Sequence, residues 1–324
     1  MKLLRDEAKH HPGKSRRKRL AAVATLPTMM TLGNLLCGFG AIYCAILSVQ
    51  ADGADLSRLT FRSPLLERMM PTYLAVGAYL IFAALVFDAL DGRLARLTRR
   101  TSDFGGQLDS LADMVSFGAA PAALVLCLAM PLLREQSDAI LGGKLYWRMA
   151  WVAAAIYVAC AAIRLARFNV ENVHDESAHM SFRGLPSPGA GVALAALIVL
   201  HEEVIRVEMQ WASRWLVLAL PVAAFVLGLV MVGNLRYVHL VNVYLRGRRP
   251  ISHLVALLIV ATLAWVVPQL VLAVLIVGYA LSAPVVALWR RLTGRAVPKA
   301  THQHPAAPSD QAAADLDAPA DRIA

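Results

Sequence analysis

Long uncharged runs of hydrophobic residues alternate along the chain with short blocks of charged residues. The runs are about 17–21 residues long, which is the length that an α-helix needs to cross about 30 Å of hydrocarbon. They are continuously apolar, whereas a strand of a membrane β-barrel alternates apolar and polar residues over about ten positions. We therefore predict an all-α, polytopic membrane helix bundle with eight spans. The spans are expected at residues 27–50, 71–90, 109–133, 147–166, 186–200, 212–234, 251–267 and 270–289.

The last two spans come from one uncharged run between Leu254 and Leu288. This run of 35 residues is too long for a single helix across the bilayer. Pro268 and Gln269 form the natural break within it, because proline rarely continues a helix that has already begun.

Composition and charge agree with a membrane protein and indicate its orientation. Of the 324 residues, 58% are hydrophobic and 17% charged, and the mean hydropathy is +0.56. If the N-terminus is cytoplasmic, 24 of the 32 Lys and Arg residues fall in cytoplasmic segments and 8 fall outside. This excess is the positive-inside pattern, so the net charge of +10 needs no nucleic-acid partner. We predict a multi-pass protein of the cell's inner, cytoplasmic membrane with both termini in the cytoplasm.

The two ends of the chain differ from its apolar middle. Residues 1–26 form a basic cytoplasmic arm, and we expect its residues 1–19 to be disordered or attracted to the surface of anionic lipid. Residues 298–324 are rich in Ala, Pro and Asp without any helical period, and we predict a disordered C-terminal tail.

Five aspartates lie between Phe87 and Asp113, where two uncharged segments meet a charged block. Asp88 and Asp91 are three positions apart, and Asp109 and Asp113 are four apart. On a helix, both spacings bring the two side chains to one face. The sequence thus predicts two helices that each present a pair of carboxylates.

A short connection is expected between these two helices. Gly105 and Gly106 are predicted to form a turn, and Ser102 or Asp103 is a candidate N-cap of the second helix. Two antiparallel helices would then bring four carboxylates together at the cytoplasmic boundary of the membrane.

Four carboxylates packed together repel one another and lose solvation, so cations must offset their charge. Neighbouring arginines alone would not require the paired spacing. Mg²⁺ or Mn²⁺ would require it, because hard divalent cations bind several oxygen ligands. Two such ions can stabilise the attacking and leaving oxygens of a phosphoryl transfer. The alternatives are ordinary solvated helix caps and a cation-binding transporter; two pairs in one stretch disfavour the first, and clustering at one membrane face disfavours the second.

The same stretch resembles, position for position, the signature of the CDP-alcohol phosphatidyltransferase family, Asp88-x2-Asp91-Gly92-x2-Ala95-Arg96-x8-Gly105-x3-Asp109-x3-Asp113. The resemblance extends over residues 27–245. It implies an integral membrane enzyme with a six-helix core, commonly a homodimer, whose site opens to the cytoplasm. Residues 246–297 would then be two additional transmembrane helices.

The resemblance also assigns roles to individual residues. It implies one divalent cation held by Asp88, Asp91 and Asp109, and a second held by Asp88, Asp109 and Asp113, both bound to the diphosphate of CDP-diacylglycerol. Asp113 would also be the general base for the incoming alcohol. The residues implied to bind CDP-diacylglycerol are Gly92, Ala95, Arg96, Ser102, Gly105 and Thr31.

The aspartate motif does not choose among acceptor alcohols, but three other stretches resemble the branch of the family that transfers to serine. They are NLLCGFGAI (34–42), RLARFNV (164–170) and FRGLPSPGAG (182–191). We therefore expect the products phosphatidylserine and CMP from CDP-diacylglycerol and L-serine. The alternative acceptors are inositol or inositol phosphate, glycerol 3-phosphate and choline.

Serine carries a carboxylate, so its site needs a cation near the membrane boundary. Arg164 and Arg167 are three positions apart on one helical face and can bind that carboxylate. Asn169 and Asn34 are further candidate serine-binding residues. The alternatives are ordinary positive-inside flanking for the two arginines and a hydrogen bond to a neighbouring helix for Asn34.

Overall fold

Helices form nearly all of the structure, a computed structural model that describes residues 13–50, 70, 72–98, 103–135, 143–174, 184–233, 262–263 and 265–293. These residues contain no β-strand, which confirms the predicted all-α class. The α-helices are α1 (Gly13–Gln50), α2 (Tyr73–Thr98), α3 (Asp103–Asp113), α4 (Ala120–Glu135), α5 (Gly143–His174), α6 (Ser187–Leu200), α7 (Arg206–Glu208), α8 (Gln210–Val232) and α9 (Pro268–Leu292). A first π-helix, Met114–Ala119, joins α3 to α4, and a second, His201–Ile205, joins α6 to α7.

Six of the helical segments in the described residues are long and apolar enough to cross a membrane. They are Leu26–Gln50, Tyr73–Leu94, Phe104–Pro131, Lys144–Val170, Gln210–Val232 and Pro268–Ala287. These segments correspond to the predicted first four, sixth and eighth spans. The predicted fifth span is α6, which has only 14 residues before the second π-helix prolongs it. The predicted seventh span lies mostly outside the described residues.

The first predicted span agrees with the apolar part of α1, Leu26–Gln50. Helix α1 itself begins at Gly13, so the second half of the predicted arm is helical and continuous with this span. Residues 13–26 have strongly basic positions but no helix breaker after Gly13, and Pro27 lies within the helix. The rest of the arm and the predicted tail at 298–324 lie outside the described residues.

The predicted turn at Gly105 and Gly106 is wrong. Both glycines lie inside α3, which begins at Asp103. Gly184 is the glycine with positive φ in the described part of the chain, so the pair has ordinary helical backbone. A glycine pair is permissive for a turn but does not impose one. Helix α2 ends at Thr98 and α3 begins at Asp103, two residues before the glycine pair.

The bundle packs through small side chains. Helix α1 lies along α2, and α5 lies along α8, while α2 also contacts α6. Alanines recur among the buried residues at these contacts, for example Ala41, Ala78, Ala154 and Ala224. Small residues let helix backbones approach closely where lipid supplies no hydrophobic drive for association. Large apolar side chains such as Trp211 are instead exposed on the outside of the bundle, where lipid would cover them.

A buried polar network closes the end of the bundle opposite the aspartates. Thr72 caps α2, since its Oγ1 accepts a hydrogen bond from the Ala75 amide at 3.1 Å. The same hydroxyl donates to Glu202 Oε2 at 2.7 Å. Glu202 also contacts His201 Nδ1 at 2.9 Å and accepts a 2.8 Å hydrogen bond from Arg206. The predicted spans left residues 201–211 as a connection, but this segment is helical on both sides of Met209.

Helix α9 joins the bundle at that same end. Gln269 Nε2 donates a 2.5 Å hydrogen bond to Glu203 Oε2, and Ala273 and Ala280 of α9 are buried. The helix begins at Pro268, the residue where the sequence predicted a break. The chain divides into two units, Met1–Val285 and Val286–Ala324. All contacts described in this section lie in the first unit.

Candidate active site

The predicted aspartates lie together where α2 and α3 approach each other. Asp88 and Asp91 project from α2, and Asp109 projects from α3. One carboxylate oxygen of each lies within 4.8 Å of the others. Asp113, at the end of α3, is buried and interacts electrostatically with Asp88 and Asp109. The helical spacing in the sequence therefore predicted the right face of each helix.

The cluster fits a divalent cation. One carboxylate oxygen of Asp91 lies within 4.8 Å of one of Asp109, an arrangement that two anions tolerate best with a shared proton or a cation between them. Asp109 Oδ1 is buried and has no hydrogen-bond partner among the described residues. A buried oxygen without a partner is costly, whereas a cation would satisfy it. Oxygen ligands in this number suit Mg²⁺ or Mn²⁺.

Helix α1 supports both pairs of aspartates from the side. Thr31 is buried, and its Oγ1 lies 3.1 Å from Asp91 Oδ2 and 3.1 Å from the carbonyl oxygen of Pro27. Asn34 is fully buried and donates from Nδ2 to Asp113 Oδ1 at 3.1 Å. One face of α1 thus fixes a carboxylate of α2 and a carboxylate of α3.

A comparison with protein-family models shows which family the chain belongs to. Residues 24–223, more than half of the chain, match the CDP-alcohol phosphatidyltransferase model. The chain belongs to the CDP-alcohol phosphatidyltransferase family. The match covers most of α1, both aspartate-bearing helices and part of α8.

Curated proteins similar to this chain are named CDP-diacylglycerol–serine O-phosphatidyltransferase. The one from Mycobacterium tuberculosis is 30% identical over 279 residues, which are 84% of this chain and 81% of the relative. A relative from Helicobacter pylori is 34% identical over 162 residues, 50% of this chain and 60% of the relative. A relative from Methanocaldococcus jannaschii is 33% identical over 158 residues, 49% of this chain and 61% of the relative.

The residues expected to bind CDP-diacylglycerol lie on both sides of the cluster, with one exception. Gly92, Ala95 and Arg96 lie on α2 after Asp91, and Gly105 lies on α3. Gly92 is exposed, and a Cβ added to it would meet no atom of the described residues within 4 Å. The helix surface at Gly92 is therefore open beside the carboxylates. Ser102 lies outside the described residues.

The candidate serine-binding residues lie near the end of α5. Arg164 is half-buried, interacts electrostatically with Asp113, and donates from Nη1 to Ser187 Oγ at 3.3 Å. Its Nε is buried without a hydrogen-bond partner in the part of the chain that the structure describes. Arg167 is half-buried one turn further along α5.

Asn169 connects α5 to the aspartate motif. Its Oδ1 accepts a 3.0 Å hydrogen bond from Ser110 Oγ, and Ser110 follows Asp109 on α3. Asn34, in contrast, directs its amide nitrogen to Asp113. This contact agrees with the alternative interpretation of Asn34, a hydrogen bond to a neighbouring helix, rather than with direct binding of serine.

Sequence reasoning missed two hydroxyl groups beside the site. Ser110 lies inside the aspartate motif, and Ser187 lies inside the stretch FRGLPSPGAG. Both stretches had been singled out, but their serines carry no spacing signal of their own. Ser187 contacts Arg164 because α6 begins directly after Pro186, in a segment where Gly184 adopts φ of 85°.

Proposed function

We propose that this protein transfers the phosphatidyl group of CDP-diacylglycerol to the hydroxyl of L-serine, giving phosphatidylserine and CMP. Membership of the family supports the phosphatidyl transfer. The names of the relatives support serine as the acceptor. The relative from Mycobacterium tuberculosis matches 84% of the chain, an extent that necessarily includes the helices that carry the aspartates.

The observation that carries the choice of acceptor is the position of Arg164 beside Asp113. The guanidinium interacts with the carboxylate expected to be the base, and its Nε has no partner among the described residues. A buried donor without a partner is costly, and the carboxylate of serine would satisfy it while the serine hydroxyl points to Asp113. Inositol and choline have no anionic group to offer this nitrogen, and the names of the relatives favour serine over the phosphate-bearing alternatives.

In the proposed reaction, Asp88, Asp91, Asp109 and Asp113 would hold two divalent cations, Mg²⁺ or Mn²⁺. When bound, these ions neutralise the diphosphate and the charge that develops on the transferring phosphorus. Asp113 accepts the proton of the serine hydroxyl, whose oxygen forms the new bond to the β-phosphorus. The bond from that phosphorus to the bridging oxygen breaks, and CMP leaves with it. Asn34 holds Asp113 in position for this step.

The open helix surface at Gly92 gives the nucleotide room to approach the carboxylates. Arg96, one turn further along α2, would neutralise phosphate charge. Acyl chains would remain in the bilayer while the diphosphate reaches the carboxylates at its edge. The proposal places this edge on the cytoplasmic side of the inner membrane, as the distribution of Lys and Arg indicates.

A CMP-release assay with a panel of alcohols tests the proposal. Purified full-length protein receives CDP-diacylglycerol, Mn²⁺ and one of serine, inositol, glycerol 3-phosphate or choline, with EDTA as the metal-free control. CMP release with serine that EDTA abolishes is the expected result. Release with another alcohol alone would reassign the acceptor, and no release despite bound Mn²⁺ would favour a cation-binding transporter.

The proposed homodimer and orientation need separate measurements. Mass photometry in detergent or nanodiscs would give the oligomeric state. Labelling of single cysteines introduced near each terminus, in intact and permeabilised cells, would report the side of the membrane. Accessibility of either terminus from outside intact cells would contradict the proposed orientation.

A further inference from the structure

Tyr157 connects α5 to the first π-helix from inside the core. Its side chain is fully buried, and its hydroxyl donates a 2.7 Å hydrogen bond to the carbonyl oxygen of Phe117. A buried phenol hydroxyl needs a partner, and here that partner is a backbone group 40 positions away. Phe117 is four residues after Asp113, so the bond lies about one helical turn from the proposed base.

The π-helix determines how the aspartates face the cluster. Its wide turn is visible where the Ala120 amide bonds to the carbonyl of Val115, five residues earlier. One extra residue in a turn changes the helical phase by about 100°. The face of α3 that carries Asp109 and Asp113 is thereby rotated relative to the face of α4 that packs in the core. Any return to α-helical geometry would turn these carboxylates away from α2.

Neighbouring helices leave the π-helix little room. A Cβ added to Gly38 of α1 would lie 2.6 Å from Ser116 Cα, and one added to Gly191 of α6 would lie 3.0 Å from Phe117 Cα. Ser116 Oγ also donates to the carbonyl oxygen of Asn34 at 2.8 Å. The backbone of the π-helix is thus enclosed by α1 and α6, and Tyr157 supplies a hydrogen bond from α5.

We propose that Tyr157 is a positioning residue for Asp113, acting through the carbonyl of Phe117. The hydroxyl stabilises the π-helical turn, and this turn aims Asp113 at the other carboxylates and at the acceptor hydroxyl. The inference rests on the proposed function because it assumes that the cluster binds divalent cations and that Asp113 is the base. Loss of the hydroxyl should therefore weaken cation binding and turnover, beyond any effect on stability.

A matched pair of tyrosine variants tests the inference. Tyr157→Phe removes the hydroxyl bonded to Phe117. Tyr146→Phe removes another hydroxyl of α5, which donates to the carbonyl oxygen of Val217 at 3.0 Å. Full-length protein in detergent is compared by isothermal titration calorimetry with Mn²⁺, by kcat and KM for serine, and by melting temperature.

Tyr157→Phe is expected to weaken Mn²⁺ binding and to lower kcat by about 10-fold each, the scale seen when a residue that orients a metal ligand is lost. The KM for serine should stay near its wild-type value, because the hydroxyl does not touch the acceptor. Tyr146→Phe should keep wild-type Mn²⁺ affinity and kcat, even if both variants melt at a similarly lower temperature.

Wild-type Mn²⁺ affinity and kcat in Tyr157→Phe would overturn the inference. Equal losses in the two variants would also overturn it, since they would indicate general loosening of α5. Wild-type protein that binds Mn²⁺ but releases no CMP would refute the proposed function alone, and the Mn²⁺ affinities would still decide the role of Tyr157. Wild-type protein that binds no Mn²⁺ would refute both.

Discussion

Asn34 and Asp113 are 79 positions apart in the chain, yet the amide nitrogen of one lies 3.1 Å from a carboxylate oxygen of the other. Both residues are buried. The amide can only donate at that nitrogen, so it bonds to the carboxylate without competing for the proton that Asp113 would accept. The contact makes Asn34 a partner of the proposed base rather than of the substrate.

Replacing Asn34 should separate these two roles. Asn34→Leu keeps the approximate size but removes the donor, and we expect kcat to fall about 10-fold, as for other residues that orient a catalytic ligand. The KM for serine should change little. Ser48→Ala, which removes a hydroxyl bonded to Ala45 near the end of α1, is the control. A large rise in KM for serine with unchanged kcat would instead indicate that Asn34 binds serine.

Asp113→Asn should retain nucleotide binding and lose turnover. The amide keeps the shape of the side chain but cannot accept the proton, and general base catalysis contributes about 100-fold or more. Binding of CDP-diacylglycerol, followed by calorimetry, is expected to remain. The control is Asp103→Asn, which changes the one aspartate of this stretch that belongs to neither pair. Its turnover should be close to that of the wild type. Near-normal turnover in Asp113→Asn would remove the base assignment.

Arg164→Lys should specifically weaken serine binding. Lysine keeps the charge but loses the planar guanidinium that can bind a carboxylate through two nitrogens. We expect the KM for serine to rise about 10-fold, which corresponds to about 1.4 kcal/mol, with little change in the KM for CDP-diacylglycerol. Arg148→Lys alters an exposed arginine of the same helix and is the control. Equal increases in both KM values would argue against a serine-specific contact.

Glu202→Gln should destabilise the bundle without altering the active site. Glu202 is buried and bonded to Thr72, His201 and Arg206. Loss of hydrogen bonds to a charged group costs about 2 kcal/mol, so the melting temperature in detergent should fall. Glu208→Gln changes an exposed glutamate on α7 and should have a much smaller effect. Identical melting temperatures for the two variants would show that the network contributes little.

The stabilisation by Glu202 should also depend on pH. Burial raises the pKa of Glu202, but the hydrogen bond with His201 and the charge of Arg206 outweigh burial, so the pKa lies below its ordinary 4.5. A carboxylate with a lowered pKa stabilises the fold fully above its unfolded pKa, and the stabilisation is lost as pH falls through the folded value. The difference in melting temperature between wild type and Glu202→Gln should shrink below about pH 4.5. A constant difference would contradict this assignment.

The sequence predicted those features that depend on local spacing. Asp88 and Asp91, like Asp109 and Asp113, share a helical face because of the period of the helix, and the chemistry of clustered carboxylates then indicates cations. Most membrane spans could be predicted for a similar reason, because the thickness of the bilayer fixes how long an uncharged run must be to cross it as a helix.

Other features depend on contacts between distant segments and left no local signal. Thr72 and Glu202 are 130 positions apart, and nothing near either residue indicates the bond between them. The first π-helix has an ordinary apolar sequence, MVSFGA, and arises where glycines of α1 and α6 pack against its backbone. Gly105 and Gly106 misled the prediction, because their permissive backbone was compatible with a helix as well as with a turn.

Helix α2 is fixed at two points, by Thr72 in the network with Glu202 and by Asp91 in the carboxylate cluster. These residues are 19 positions apart, or about 28 Å along a helix, close to the thickness of the hydrocarbon layer. Helix α2 is therefore anchored near both ends of its membrane-spanning segment, Tyr73–Leu94. In a thinner or thicker membrane either the helix tilts or the lipid deforms, so the chain length of the surrounding lipids should govern how readily a headgroup reaches the carboxylates.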